Sequence, residues 1–149
     1  MLLREVCTPD VVSCAPDNSV LHAARLMREH HVGDVVIVED AEAGRSPIGV
    51  VTDRDIVLEV LGKELDPARV TLRQVMRTPV VIASLSEDVA QALERMKFHG
   101  VRRIPVVDET ATLVGILCLD DLLKRLAADA ASLAEVVSRE QDREHRVRR

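Results

Sequence analysis

The sequence predicts an α/β (α+β) protein made of two copies of a β-α-β-β-α unit packed sheet to sheet. Three observations predict it: an internal repeat, a switch between helical and strand periodicity at the same places in both copies, and the shortness of each copy. Aligning VVSCAPDNSVLHAARLMREHHVGDVVIVED from Val11 with VVIASLSEDVAQALERMKFHGVRRIPVVDE from Val80 gives an offset of 69 that runs to Asp40 without a gap. Val20 then meets Val89, Ala23 meets Ala92, Met27 meets Met96, His30 meets His99 and Val38 meets Val107. Gly49 and Asp55 meet Gly115 and Asp121 at an offset of 66, so the first copy's loop is three residues longer. One copy alone is too small to bury both faces of its sheet, whereas two copies packed through their sheets bury each other.

Each element follows in order from local chemistry. The first strand is Val11 to Ser13 in one copy and Val80 to Ala83 in the other. A helix follows, capped by Asp17 or Ser19 and by Ser86, with Val20, Ala23, Ala24 and Met27, or Val89, Ala92, Leu93 and Met96, along one face. The runs DVVIV and RIPVV are continuous enough for buried strands, with Pro105 marking a strand edge or start. IGVV and LVGIL supply the next strands. The last helix begins at an acidic cluster, as RDIVLEVLG closed by Gly62 as a C-cap and as DDLLKRLAA. Between the copies, Pro67 marks a linker, and Thr71 with Gln74 has the spacing of a capping box ahead of a short helix. The tail starts as a helix and ends in alternating charge, which predicts a solvated or frayed end. The organisation is therefore a first domain over 1–62, a linker over 63–74, a second domain over 75–127, and a C-terminal helix and charged tail over 128–149.

Composition narrows the function. A formal charge of −5 and a pI near 5.5 leave no basic footprint for nucleic acid or for an anionic membrane. Phe98 is the sole aromatic residue, so no platform exists for stacking bases, and a bound ring must lie between aliphatic side chains. No apolar run reaches the roughly 18 to 20 residues that span a bilayer, and MLLREVCTPD lacks the apolar core of a signal peptide, so a cytoplasmic location is expected. Cys7, Cys14 and Cys118 are odd in number and show no CxxC spacing, which predicts reduced thiols rather than disulfides. His30 and His31 are adjacent at a predicted helix end and cannot easily both face one ion, and His22 and His99 have no close carboxylate or Cys at a zinc-ligand spacing. No catalytic motif is present, neither a P-loop nor HExxH nor a dinucleotide glycine fingerprint, so no enzyme is expected.

The stretch GVVTDRDI, Gly49 to Ile56, places Thr52, Asp53, Arg54 and Asp55 where a strand hands over to a helix. Helix capping and ligand contact both fit an Asp in a first helical turn, and recurrence as Asp121 in GILCLDDL favours ligand contact. Arg102 and Arg103 fit a phosphate contact, a surface position or a pair with Asp120. Gly49 and Gly115 fit close packing or a turn.

With the repeat and this turn in hand, the chain resembles a tandem pair of CBS (cystathionine β-synthase) domains, a Bateman module, from about Val6 to Leu126. HHVGDVVIVED with IGVVTDRDI, and HGVRRIPVVDE with LVGILCLDDL, carry the resemblance. It implies a stand-alone, non-enzymatic regulatory module whose copies associate about a pseudo-two-fold axis. It also implies a homodimer shaped as a flat disc, and an unidentified regulated protein. An adenosine-containing ligand, AMP, ADP, ATP or S-adenosylmethionine, is implied in the clefts between copies, with no required cofactor. Ribose and phosphate contacts carry over to Thr52 and Asp55 in the first copy and to Asp121 in the second. Val11, Val12, Val80 and Val81 are the expected adenine walls, and Val32, Val101 and Pro105 complete the ligand-binding set. Arg54, Arg102 or Arg103 are expected to serve a phosphate across the copy interface. The copies are not equivalent, because Gly33 and Asp34 stand where the second has Arg102 and Arg103, and Cys118 stands where the first has Thr52. The alternatives are a metal- or redox-responsive protein using His30, His31, His99 or a cysteine, and a dimerising scaffold with degenerate sites.

Overall fold

The computed structural model describes residues 1–147 and divides into two compact units, Met1–Leu117 and a second that begins at Cys118. The class is α+β, with two three-stranded sheets. The first repeat contains β1 (Ser13–Cys14), α1 (Val20–His30), β2 (Asp34–Ala41), β3 (Gly44–Thr52) and α2 (Asp53–Ile56), which runs on as a π-helical turn over Val57–Leu61. A short helix, α3 (Leu72–Val75), precedes the second repeat. The second repeat contains β4 (Ala83–Ser84), α4 (Val89–His99), β5 (Arg103–Val107) and β6 (Leu113–Cys118), and α5 spans Leu119–Val147. The sheets are ordered β1-β2-β3 and β4-β5-β6, with β1 parallel to β2, β4 parallel to β5, and β2 antiparallel to β3.

The helices sit where the apolar periodicity places them, except that Leu93, expected on the apolar face of α4, is exposed. Val20, Ala23 and Met27 of α1 and Ala92 and Met96 of α4 are buried, as are Val35 to Val38 of β2. Ser19 caps α1 by accepting from the His22 N–H at 3.1 Å. In α4 the cap is Asp88, the repeat equivalent of Ser19, which accepts from the Ala90 N–H at 2.8 Å. The expected cap, Ser86, instead lies 3.0 Å from the Ser84 hydroxyl, two residues too early to reach the helix. Gly62 ends the π turn with φ −66°, a right-handed conformation rather than the left-handed one of a glycine C-cap.

Pro105 corrects the expectation of a strand edge. It lies within β5, the central strand of its sheet, and is fully buried. Its repeat equivalent, Val36, donates its N–H to the Val12 carbonyl at 3.0 Å, which Pro105 has no hydrogen to do. The parallel pairing therefore begins at Ser13↔Val36 in the first repeat and one position later, at Ala83↔Val106, in the second. Both first strands start later than the valine runs suggested.

The repeat extends to the first residue, and its lead-in segments are exchanged. Residues 70–77, which lead into the second repeat, pack on the first; their equivalents 1–8 pack on the second. The Val70 carbonyl accepts from the Val20 N–H of α1, and the Met1 carbonyl accepts from the Val89 N–H of α4, both at 2.9 Å. Leu72 donates its N–H to the Asn18 carbonyl, and Leu3 donates to the Glu87 carbonyl. Both leucine side chains are fully buried, Leu72 within the core formed by Val20, Met27, Val35, Ile37 and Val51. Further along, Thr8 pairs with Ile116 through two backbone bonds of 2.9 Å, and Arg77 pairs with Val50 at 3.3 Å. The same exchange explains Gly49 and Gly115. A Cβ on Gly49 would meet the Met76 Sδ at 2.7 Å and Cβ at 2.9 Å, and one on Gly115 would meet the Cys7 Sγ at 3.0 Å and the Thr8 carbonyl at 3.1 Å. The pairing is reciprocal, which is a pseudo-two-fold relation between the repeats. The Thr71–Gln74 spacing forms its bond, with the Thr71 N–H donating to Gln74 Oε1 at 2.9 Å.

The helix α5 continues without a break from the acidic turn at Asp120 through Val147, and none of its residues is buried. Among the described residues no helix is long and apolar enough to cross a membrane.

Burying a leucine stabilises a fold by about 1.5–3 kcal/mol, and truncating it adds the cost of the cavity. Leu3→Ala and Leu72→Ala are each expected to lose about 2–5 kcal/mol in urea unfolding. Gly49→Ala and Gly115→Ala are each expected to lose about 1–3 kcal/mol from overpacking against the lead-in. Four unchanged midpoints would show that the lead-ins do not hold the repeats.

Candidate functional site

The turn between β3 and α2 is built by a reciprocal cap. Thr52 Oγ1 accepts from the Asp55 N–H at 3.1 Å, and Asp55 Oδ2 accepts from the Thr52 N–H at 2.9 Å. The exchanged lead-in then brings Arg77 to the same turn. Arg77 donates from Nε and Nη2 to Asp55 Oδ1 at 3.1 and 2.9 Å. The Asp55 side chain is 7 % exposed and that of Arg77 is 60 % exposed, so the carboxylate is enclosed while the guanidinium faces outward.

A second ion pair joins the repeats. Asp34 opens β2 and Arg103 opens β5, and the two occupy the same position of the repeat. Arg103 Nε lies 2.7 Å from Asp34 Oδ1, an ion pair. Burial pushes the Asp34 carboxyl above its ordinary value; Arg103 opposes that shift and the nearby Asp53 adds to it. Gly33 lets these groups converge, since a Cβ there would meet Asp53 Oδ2 at 3.2 Å and Arg103 Nη2 at 3.6 Å. The Asp53 N–H donates to the Gly33 carbonyl at 2.9 Å.

Between these pairs lies a cleft of ≈ 310 Å³ with two kinds of wall. Val50, Pro79, Val80, Val81 and Val101 form an aliphatic side, while Thr52, Asp53, Arg54, Arg77, Arg102 and Arg103 form a polar and mainly cationic side. Small-molecule pockets combine apolar area with a few convergent polar groups in this way.

The structure thus brings seven of the expected residues together in the cleft: Thr52, Arg54, Val80, Val81, Val101, Arg102 and Arg103. Asp55 lies behind the lining, engaged by Thr52 and Arg77. Val12 and Val32 pack against the core of the first repeat, and Pro105 is buried inside β5. Asp121 belongs to the second unit, where it pairs with Lys124 at 3.4 Å. Arg77 was not among the sequence candidates. The signal that points to it is its place eight residues into the extended repeat, opposite Thr8, where the two lead-ins diverge from a hydroxyl to a guanidinium.

Other chemistries find less to work with. Among the described residues no three His, Cys, Asp or Glu side chains gather as metal ligands. Burial pushes the Cys7 and Cys14 thiols up, away from the reactive thiolate.

Fold and cleft together define a tandem-repeat protein with a cleft between its repeats. The CBS domain profile matches residues 3–62 and 72–128, and the chain belongs to the CBS domain family as a CBS pair. Protein MK0525 of Methanopyrus kandleri is 36% identical over 120 residues, which are 80% of this chain and 60% of that protein. A crystal structure of Hypoxic Response Protein I with two coordinated zinc ions is similar at a TM-score of 0.72 and 30% identity, covering 84% of this chain and 98% of that one. The CBS domain pair of protein MJ0100, crystallised with 5′-methylthioadenosine and S-adenosylmethionine, shares the fold at a TM-score of 0.75 and 22% identity, covering 87% of this chain and 98% of that one.

A raised Asp34 pKa means that the folded chain holds a proton more tightly than the unfolded chain, so its contribution to stability falls as pH rises through a window that opens at 3.8. Lowering pH from about 6 to about 4 is expected to stabilise the wild type relative to Asp34→Asn, read as the difference in melting temperature. A difference that is flat with pH, or of opposite slope, would contradict the burial of this carboxyl.

Proposed function

We propose that this chain is a non-enzymatic sensor that binds an adenosine-containing ligand in the cleft between its repeats. The observation that carries the reading is the cleft's two-sided chemistry. Val80, Val81 and Val101 offer an aliphatic slot for a purine, which suits a chain whose one aromatic residue, Phe98, is 85 % exposed. Thr52, Arg54, Arg102 and Arg103 add polar groups that suit ribose and phosphate oxygens in the same lining. Membership of the CBS family adds weight to a regulatory role.

Signalling then follows from differential affinity. A ligand that touches both β3–α2 of the first repeat and the β5 start of the second favours the arrangement in which those walls face each other. A homodimeric partner or a separate regulated protein reads the shift. AMP, ADP, ATP and S-adenosylmethionine are the candidate ligands.

A ligand that binds only the folded chain raises stability by about 2.7 kcal/mol at a hundredfold excess over Kd. A thermal-shift series with AMP, ADP, ATP and S-adenosylmethionine is expected to raise the melting temperature for at least one of them. Arg103→Ala is expected to weaken that ligand by about tenfold or more, since hydrogen bonds to charged groups contribute about 1.5–3 kcal/mol. No shift with any of the four at millimolar concentration would contradict the reading, and unchanged affinity in the variant would remove Arg103 from the site.

A further inference from the structure

We infer that Arg77 is the residue that selects a phosphorylated adenosyl ligand over an uncharged one, and that Asp55 is a positioning residue acting through it. The inference rests on the ligand reading above and assigns it a chemical class. A carboxylate offers about four lone-pair sites, and three of those of Asp55 are engaged in an enclosed position, one on Oδ2 by the Thr52 N–H and two on Oδ1 by donors of Arg77. What this carboxylate presents to the cleft is the guanidinium it holds. Arg77 is fixed at both ends: its backbone N–H donates to the Val50 carbonyl at 3.3 Å, and its head is gripped by Asp55. Guanidinium carries five N–H donors in a rigid fork, so those not used by Asp55 remain for an anion.

The arrangement occurs twice in the lining of the cleft. Arg103 is mounted on Asp34 as Arg77 is mounted on Asp55, so two guanidinia with buried carboxylate counterparts line one ≈ 310 Å³ space. A preorganised pair of cations costs little ordering entropy when an anion arrives. The group at the 5′ carbon of the ligand decides the outcome. A phosphate there gains charge-assisted bonds, a hydroxyl or thioether gains little, and a sulfonium meets like charge. The first lead-in carries Thr8 at the equivalent position, so the exchange that builds both halves of the fold supplies this cation on one side alone.

The test compares Kd values for AMP, adenosine and 5′-methylthioadenosine by calorimetry on the full chain. Wild type is expected to prefer AMP over both by about tenfold or more. Arg77→Gln is expected to lower that preference about tenfold, Asp55→Asn to lower it similarly, and the double variant to lower it no further, because both act through one guanidinium. Arg77→Lys, which keeps the charge without the fork, is expected to restore part of it. If Arg77→Gln or Asp55→Asn melts too low to titrate, Arg77→Lys decides: its preference for AMP is expected to fall below that of wild type, and a preference equal to wild type's would overturn the inference. Equal binding of AMP and adenosine by wild type, or an unchanged preference in Arg77→Gln, would overturn this inference and leave the adenosyl cleft standing. Binding of none of the three would overturn both.

Discussion

The exchange of lead-in segments is the constraint on which the rest of the unit depends. Each repeat lacks an acceptor for the first N–H of its helix α1 or α4, a leucine for its core and a neighbour for its last strand, and each receives all three from the segment that leads into the other. Leu3 and Leu72 are both fully buried, and Val20 and Val89 both donate to carbonyls of the opposite lead-in. Neither repeat is complete alone, so the two fold as one unit and the cleft between them has walls of defined spacing. The close contacts at Gly49 and Gly115 follow, because the lead-in runs directly over those strands.

The same exchange places charge. Arg77 reaches Asp55 because its backbone is already paired with Val50, and Arg103 reaches Asp34 because the pseudo-two-fold brings equivalent positions face to face. At a symmetric contact two copies of one residue would repel or merely touch; divergence to Asp and Arg converts the contact into an ion pair. Part of the cost of enclosing these carboxylates is met by their hydrogen bonds and counter-charges, and the raised Asp34 pKa records the part that is not. The outcome is a cleft with two held guanidinia on one side and aliphatic side chains on the other.

Much of this was legible in the sequence because it is local. The helical stripe of Val20, Ala23 and Met27, the buried run of β2, the Thr71–Gln74 cap and the close packing at Gly49 and Gly115 all follow from residue type and spacing. The repeat itself placed Thr52, Arg54, Arg102 and Arg103 near matched turns, and the structure gathers these four in one cleft. What was not legible is long-range. Thr8 with Ile116 and Arg77 with Val50 leave no periodic trace, so the exchange and the role of Arg77 stayed hidden. Pro105 misled because proline reads as an edge signal, whereas here the neighbouring strand is too short to need its hydrogen. Ser86 misled for a related reason: it resembles a cap, but the repeat register puts Asp88 there.

The central claim is that the ligand occupies the cleft between the repeats, and amide chemical-shift mapping with AMP tests it most directly. The account predicts perturbations concentrated at Thr52 to Arg54, Arg77, and Gly100 to Arg103. Perturbations absent there and centred instead on the surface around Cys14, Arg45 and Arg73 would contradict it.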